Sequence, residues 1–196
     1  MDQEKITRFF NEGNYWEALN YLKENSKQEK HILSDWYLGN VYFKLHQYSK
    51  ALDHILNFIS VKKKDPLNLN FLGEIYLEMN HYKKANEVFN EIIKIEPTNK
   101  AALLNLAKIN LNTGNLEQSE HFYKTILEND QKNLSYIYSL SRINNEYLSD
   151  KILNKIEKKN LTYIDQIYLK LILAKKFELN KDYKKEIENL SEAHRI

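Results

Sequence analysis

Five Leu-small dipeptides fall on a fixed grid: Leu38-Gly39, Leu72-Gly73, Leu106-Ala107, Leu140-Ser141 and Leu173-Ala174. The steps between them are 34, 34, 34 and 33 residues. A constant step in this range marks a chain built from stacked supersecondary units, each too small to bury its apolar face alone. It constrains the fold more than any local motif does.

The unit can be read by counting from its small residue. From Gly73, apolar or small residues follow at Tyr76, Tyr82, Ala85, Phe89, Ile92 and Ile95, with Pro97 behind them. From Gly39 the same offsets reach Tyr42, Tyr48, Ala51, Ile55, Phe58 and Val61. Two helices of roughly 13 residues account for this spacing. In the first, Leu72, Gly73 and Tyr76 share a face; in the second, Ala85, Phe89 and Ile92 do. The period restarts at Leu45–Gln47 and at Glu78–His81, which places the turns. A mid-helix glycine costs about 1 kcal/mol against alanine. Gly39 and Gly73 are therefore expected where another backbone comes close, with Ala51 and Ala85 answering from the partner helix. Tyr48 and Tyr82 are expected to fill the wedge between the pair. Gly13 and Gly114 fall in the turns, where a positive φ favours glycine. Pro97 is expected to close one helix and start the next, and Pro66 to do the same three residues late on the grid, with the helix through Val61-Lys62-Lys63-Lys64 one turn longer than its neighbours.

Composition agrees with a nearly all-helical chain: 196 residues carry four Gly and two Pro, with Lys, Glu, Leu and Ile abundant. Lys plus Arg is 29 against 27 acids, a net charge of +2, so no strong field draws the chain to nucleic acid or to an anionic membrane. Only Arg8, Arg142 and Arg195 are arginine, which weakens a nucleic-acid reading further. With no cysteine, disulfides, thiolate metal sites and Cys nucleophiles are excluded. Met1-Asp2-Gln3-Glu4-Lys5 has no apolar signal core, and no window approaches 18 apolar residues; the expectation is a soluble, cytoplasmic chain.

The pattern Leu-Gly-x-x-Tyr, then Tyr-x-x-Ala-x-x-x-Phe/Ile, then Pro, at a 34-residue step, resembles the tetratricopeptide repeat. Pro66–Asn99 is an almost complete match and Ile32–Asp65 a strong one. Lys100–Asn133 matches through Ala107, Gly114, Leu116, Ser119, Tyr123 and Ile126. The first unit matches through Phe9, Gly13, Tyr15, Ala18 and Leu22. The last matches through Leu173, Ala174, Phe177, Tyr183, Leu190 and Ala193. The fifth keeps Leu140-Ser141 and then departs, with Asp150 where Tyr is expected and a short second helix bearing Ile152, Leu153 and Ile156. The resemblance implies an all-α fold: one right-handed superhelical α-solenoid over 1–196. Its six helix-turn-helix repeats fall near 1–31, 32–65, 66–99, 100–133, 134–165 and 166–196, the last two degenerate. Such motifs define a fold well and a ligand poorly.

No enzyme signature is present. Four isolated glycines supply no GxGxxG, GxxxxGK[ST] or GxSxG. The six histidines include no pair at i,i+4, so no two-His metal face forms. His46 and His81 read as turn residues. Asp53-His54 point about 100° apart on a helix and make no dyad. Glu74 and Glu78, four apart, read as a solvated pair or a groove patch that attracts Lys and repels acids. Lys62-Lys63-Lys64 complements the end of its helix dipole. The chain is therefore expected to be non-catalytic, with no cofactor and no metal.

In the resembled family the first helices line a concave groove that commonly takes an extended or helical peptide. Mapped here, the groove residues are Trp36, Asn40, Phe43 and Lys44; Asn70, Glu74 and Leu77; Leu104, Lys108 and Leu111; Tyr138 and Arg142. Phe10, Asn11, Glu78, Asn112, Leu171 and Lys175 extend the face. Phe43, Leu77 and Leu111 continue an apolar row from Phe10. Trp36, Phe43, Leu77 and Leu111 are the expected anchors, with Asn40, Asn70 and Lys108 orienting the ligand. Some family members bind acidic chaperone tails through Lys, Asn and Arg. The matching positions here are Trp36, Asn40, Phe71, Ala101 and Asn105, and only Asn40 fits. The expected function is a protein-interaction scaffold or adaptor holding a partner's peptide or helix. The alternatives are a homo-oligomer joined through terminal faces, since Ile187, Leu190 and Ala193 share one face of the final helix Asp182–Ile196, and, further off, an RNA-binding helical repeat. No nucleic-acid partner and no membrane span are expected.

Overall fold

The computed structural model describes residues 2–26, 32–62, 64–129, 133–156 and 161–196. They form two compact units, Met1–Ala102 and Leu103–Ile196. Among the described residues there are twelve α-helices and no strand.

The first unit holds α1 (Gln3–Asn11), α2 (Tyr15–Ser26), α3 (Ile32–Lys44), α4 (Tyr48–Val61), α5 (Pro66–Glu78) and α6 (Tyr82–Ile95). Its cores are built from the residues the period picks out: Ala18, Leu22, Ala51, Ile55, Ala85, Phe89 and Ile92 are all fully buried. Each large one contributes roughly 1.5–3 kcal/mol by leaving water. Helix α3 packs on α4 and α5 on α6 to make hairpins, while α2 on α3 and α4 on α5 join them.

The turns share one device. Gly13, His46, Asn80 and Gly114 have φ of 72°, 56°, 57° and 82°, and Lys181 has 58°. In each, the residue after the left-handed one donates five residues back to its helix: Asn14 to Phe9 O, Gln47 to Tyr42 O, His81 to Tyr76 O, Asn115 to Asn110 O and Asp182 to Phe177 O, at 2.8–3.0 Å. This is the Schellman closure, which satisfies carbonyls a helix end would otherwise leave orphaned. Only two of the five positions carry glycine. His46 and His81 are consequently not equivalent: His46 is the left-handed residue, whereas His81 is the N-cap of α6.

Four expectations are corrected. Helix α4 ends at Val61 and has the same 14 residues as α6. Pro66 starts the next helix as expected but does not close α4; it is the first residue of α5, where its missing N–H is harmless. Asp65 caps that helix, accepting from Asn68 N at 2.8 Å. The mid-helix glycines make room chiefly for side chains, although at Gly39 the Ala51 carbonyl also comes within 3.5 Å of where a Cβ would stand. A Cβ at residue 39 would lie 2.6 Å from Ile55 Cδ1, and one at residue 73 would lie 2.5 Å from Phe89 Cζ. Tyr82 does not fill a wedge; it is exposed and its hydroxyl donates to Asn80 Oδ1 at 3.0 Å.

The second unit begins within α7 (Lys100–Asn112) and continues through α8 (Leu116–Asn129), α9 (Leu134–Ser141), a 3-10 turn (Asn145–Leu148), α10 (Asp150–Leu153), α11 (Tyr163–Leu179) and α12 (Tyr183–Arg195). Ser119 occupies the slot of Ala51 and Ala85; its buried hydroxyl donates to Ala107 O at 2.8 Å, so the polar atom is satisfied. The departure after Ser141 is real: α10 has four residues. Leu148 and Leu153 nevertheless bury with Leu134, Ile137 and Ile172, and Ile152 and Ile156 pack against that core. Thr162 and Asp165 open α11 with a reciprocal capping box.

Candidate functional site

On the first-helix face of unit one, the two predicted anchors Trp36 and Phe43 converge on Phe71. The Trp36 ring lies 5.4 Å from Phe71 and 5.3 Å from Phe58, and the Phe43 ring lies 5.3 Å from Phe71 and 5.6 Å from Tyr48. Trp36 and Phe43 remain half-buried, so each divides its surface between packing and solvent. Leu77 is half-buried as well and Lys44 is exposed. Offset, edge-on rings of this kind add about 0.5–1.5 kcal/mol per pair and fix the floor of the face.

The polar groups are partly engaged. Asn40 Nδ2 donates to Trp36 O on its own helix at 2.8 Å. Asn70 Nδ2 donates to Glu74 Oε1 at 2.7 Å. The Asn70 Oδ1 is buried and is the one such side-chain acceptor without a hydrogen-bond partner among the described residues. Glu78 turns toward the neighbouring hairpin, where its carboxylate accepts from Tyr48 OH at 3.0 Å, and Tyr48 OH also meets His46 Nδ1 at 2.7 Å. Burial, then the Glu78 carboxylate, pushes the pKa of the Tyr48 hydroxyl above the ordinary phenol value.

Unit two has first-helix residues of its own. On α7, Leu104 and Leu111 are half-buried and Lys108 is exposed. On α9, Tyr138 packs its ring 5.9 Å from Tyr168, and Arg142 is the exposed C-cap residue. Leu171 and Lys175 are half-buried on α11, with Lys175 Nζ 3.7 Å from Glu178.

Two clusters lie outside the predicted set. His54 does not pair with Asp53. It meets Asp35 at 2.7 Å and stacks on Tyr42 at 5.4 Å between centroids, with Lys50 Nζ 5.4 Å from the Tyr42 ring. Glu120 is held below its usual carboxylate value chiefly by its hydrogen bond from Lys124, and also accepts from Tyr147 OH at 3.1 Å. Neither cluster presents a nucleophile beside a base, and among the described residues no group of three or more His, Asp and Glu could hold a metal ion.

Hairpins of antiparallel helices, closed by identical turns and packed hairpin on hairpin, define the helical-repeat class of interaction scaffolds. The comparisons name the repeat. Residues 69–142 match the family model described as tetratricopeptide repeat. The C-terminal part of a tetratricopeptide repeat-containing protein from Cytophaga hutchinsonii superposes with a TM-score of 0.72 at 17% identity, covering 98% of this chain and 79% of that one. PilW, a type IV pilus biogenesis factor, gives 0.70 at 16% identity over 96% and 91% of the two chains. YrrB, described as a tetratricopeptide-repeat protein with an unusual peptide-binding site, gives 0.62 at 12% identity over 93% and 87%. No curated protein matches the sequence. Residues 69–142 thus match the tetratricopeptide repeat, and the chain as a whole has the all-α fold of solved tetratricopeptide-repeat proteins. Proteins of this kind are generally non-catalytic scaffolds for other proteins. No helix among the described residues is long and apolar enough to cross a membrane.

Proposed function

We propose that the chain is a non-catalytic adaptor that holds a peptide or helix of a partner protein on its first-helix face, and that it works in the cytoplasm. The observation that carries the reading is the Asn70 Oδ1, a buried acceptor left without a donor beside half-buried apolar groups. A buried acceptor in that state costs about 1–3 kcal/mol, which a ligand's backbone N–H would relieve once the Asn70 side chain turns to meet it. Trp36, Phe43 and Leu77 supply apolar contact. Asn40, Lys44 and Glu74 orient the ligand on unit one. Leu104, Lys108, Leu111, Tyr138 and Arg142 are the corresponding residues of unit two. YrrB, with the same fold, is described as having a peptide-binding site, which supports the same class of ligand here.

The test is selection from a displayed library of random peptides against the full chain, followed by affinity measurement with Leu77→Asp and Lys108→Glu. Selected peptides should lose at least tenfold in affinity for one of these variants while far-ultraviolet circular dichroism stays unchanged. Peptides that bind both variants as well as the wild type would refute the assignment of this face. Fractionation of the native cell tests the location.

A further inference from the structure

Among the described residues, Glu74 is the one half-buried carboxylate of unit one that meets neither a cation nor a helix N-terminus. Asp35 meets His54 at 2.7 Å, Glu91 meets Lys64 at 3.0 Å, and Asp65 caps the start of α5. Glu74 accepts only from the Asn70 amide, at 2.7 Å. A carboxylate placed this way has given up part of its hydration for one neutral hydrogen bond. At the other three positions the fold itself supplies the compensating charge or dipole.

The position of Glu74 says what could compensate it. Asn70, Glu74 and Leu77 stand at i, i+4 and i+7 on α5, so the carboxylate lies in the middle of the first-helix stripe. Helix α3 presents Trp36, Asn40 and Phe43 at the same spacing, and both of its rings reach Phe71 of α5, which sets the two stripes side by side. The amide nitrogens of Asn40 and Asn70 are held on their own helices. Glu74 Oε2 and Asn40 Oδ1 are left without a hydrogen bond among the described residues. The open groups between the apolar anchors are thus acceptors, one of them charged. An acidic ligand would set its charge against Glu74 and Glu78, and a neutral one would cover the carboxylate without compensating it. A lysine or arginine side chain carries donors alone, on an apolar stem that suits the surrounding rings. Resting on the peptide-holding role proposed above, we infer that the segment held on unit one carries a lysine or arginine that pairs with Glu74, with apolar residues beside it lying on Trp36, Phe43 and Leu77. The pairing selects the ligand by charge as well as by shape.

The probes are two displayed peptide libraries with random flanks, alike except that the central residue is lysine in one and glutamate in the other. Each is selected on the full chain. The lysine library should supply the binders. Their affinity should fall about three- to tenfold with Glu74→Gln, which keeps an oxygen for the Asn70 amide and removes only the charge. Glu74→Lys should weaken them further and should accept peptides from the glutamate library instead. The difference between wild type and Glu74→Gln should shrink as salt rises from about 0.05 to 0.5 M. Leu77→Ala, neutral in charge, reads the face itself. Peptides that lose affinity with Leu77→Ala, yet come equally from both libraries or bind Glu74→Gln as tightly as wild type, overturn the charge pairing and leave the peptide-holding role standing. Peptides indifferent to Leu77→Ala, or none from either library, overturn both.

Discussion

Gly73 and Phe89 occupy one shared volume: a Cβ on residue 73 would lie 2.5 Å from Phe89 Cζ and within 3.0 Å of two further ring atoms. Phe89 is fully buried and rigid, so the ring has nowhere to go. Gly73→Ala should therefore destabilise the chain by about 1–3 kcal/mol despite alanine's better helix propensity. Gly39→Ala presses on the flexible end of Ile55 instead and should cost less. Adding Ile55→Val, which removes the crowded methyl, should recover part of the loss. Urea unfolding midpoints of the three variants give the order; equal losses at 39 and 73 would contradict it.

The left-handed turn positions make opposite predictions for glycine and non-glycine. A Cβ at residue 114 meets nothing within 4 Å, so Gly114→Ala isolates the backbone strain and should cost about 1 kcal/mol. Lys181 holds φ of 58° with a full side chain, and Lys181→Gly should stabilise the last hairpin by roughly 0.5 kcal/mol or more. Hydrogen exchange of the α11 and α12 amides measures the second change locally.

Asn70 is the site where function and stability should part. Replacing it with Leu, the residue at the matching position 104, removes the unpaired Oδ1 and should raise stability by about 1 kcal/mol. The same change should lower affinity for any peptide recognised on unit one. Thermal unfolding and peptide titration on one variant read both; a gain in affinity would count against the proposed face.

Burial raises the Tyr123 hydroxyl above the ordinary phenol value of 10.0, with a hydrogen bond to Ser139 acting the other way. Its neutral form is thus favoured in the fold. That contribution is complete below pH 10 and is lost as pH rises from 10 through the higher folded value, because the unfolded chain ionises first. The melting temperature should fall from about pH 10 upward. Tyr123→Phe should flatten that alkaline limb while costing about 1 kcal/mol at neutral pH for the lost hydrogen bond. An unchanged alkaline slope in the variant would assign the loss to other groups.

What the sequence disclosed was whatever repeats. Leu38, Leu72 and Leu106 recur because each first helix buries the same row, and the breaks before Tyr48 and Tyr82 fell where the helices divide. The turn device was legible only at Gly13 and Gly114, because His46, Asn80 and Lys181 hold the same backbone without advertising it. The Asp35–His54 contact spans 19 residues and has no counterpart in other units, so periodicity could not raise it. The groove was legible as a row of positions. How much of each side chain is spent on packing, as with Trp36 and Phe43 against Phe71, depends on rotamers chosen between helices.

The two interior hairpins of unit one agree at every packing position: Gly39 with Gly73, Ala51 with Ala85, Ile55 with Phe89 and His46 with Asn80. A stretch equal to Pro66–Asn99 therefore presents at its end the same face that it receives at its start. Duplicated in tandem, it would be read by the chain as one more course of the same masonry. The stretch after Ser141, with its 3-10 turn and four-residue α10, has no such matching faces and cannot be copied in that way. The unit-one hairpins are thus where a chain of this kind can change its length, and the residues that follow Ser141 are where its length is held.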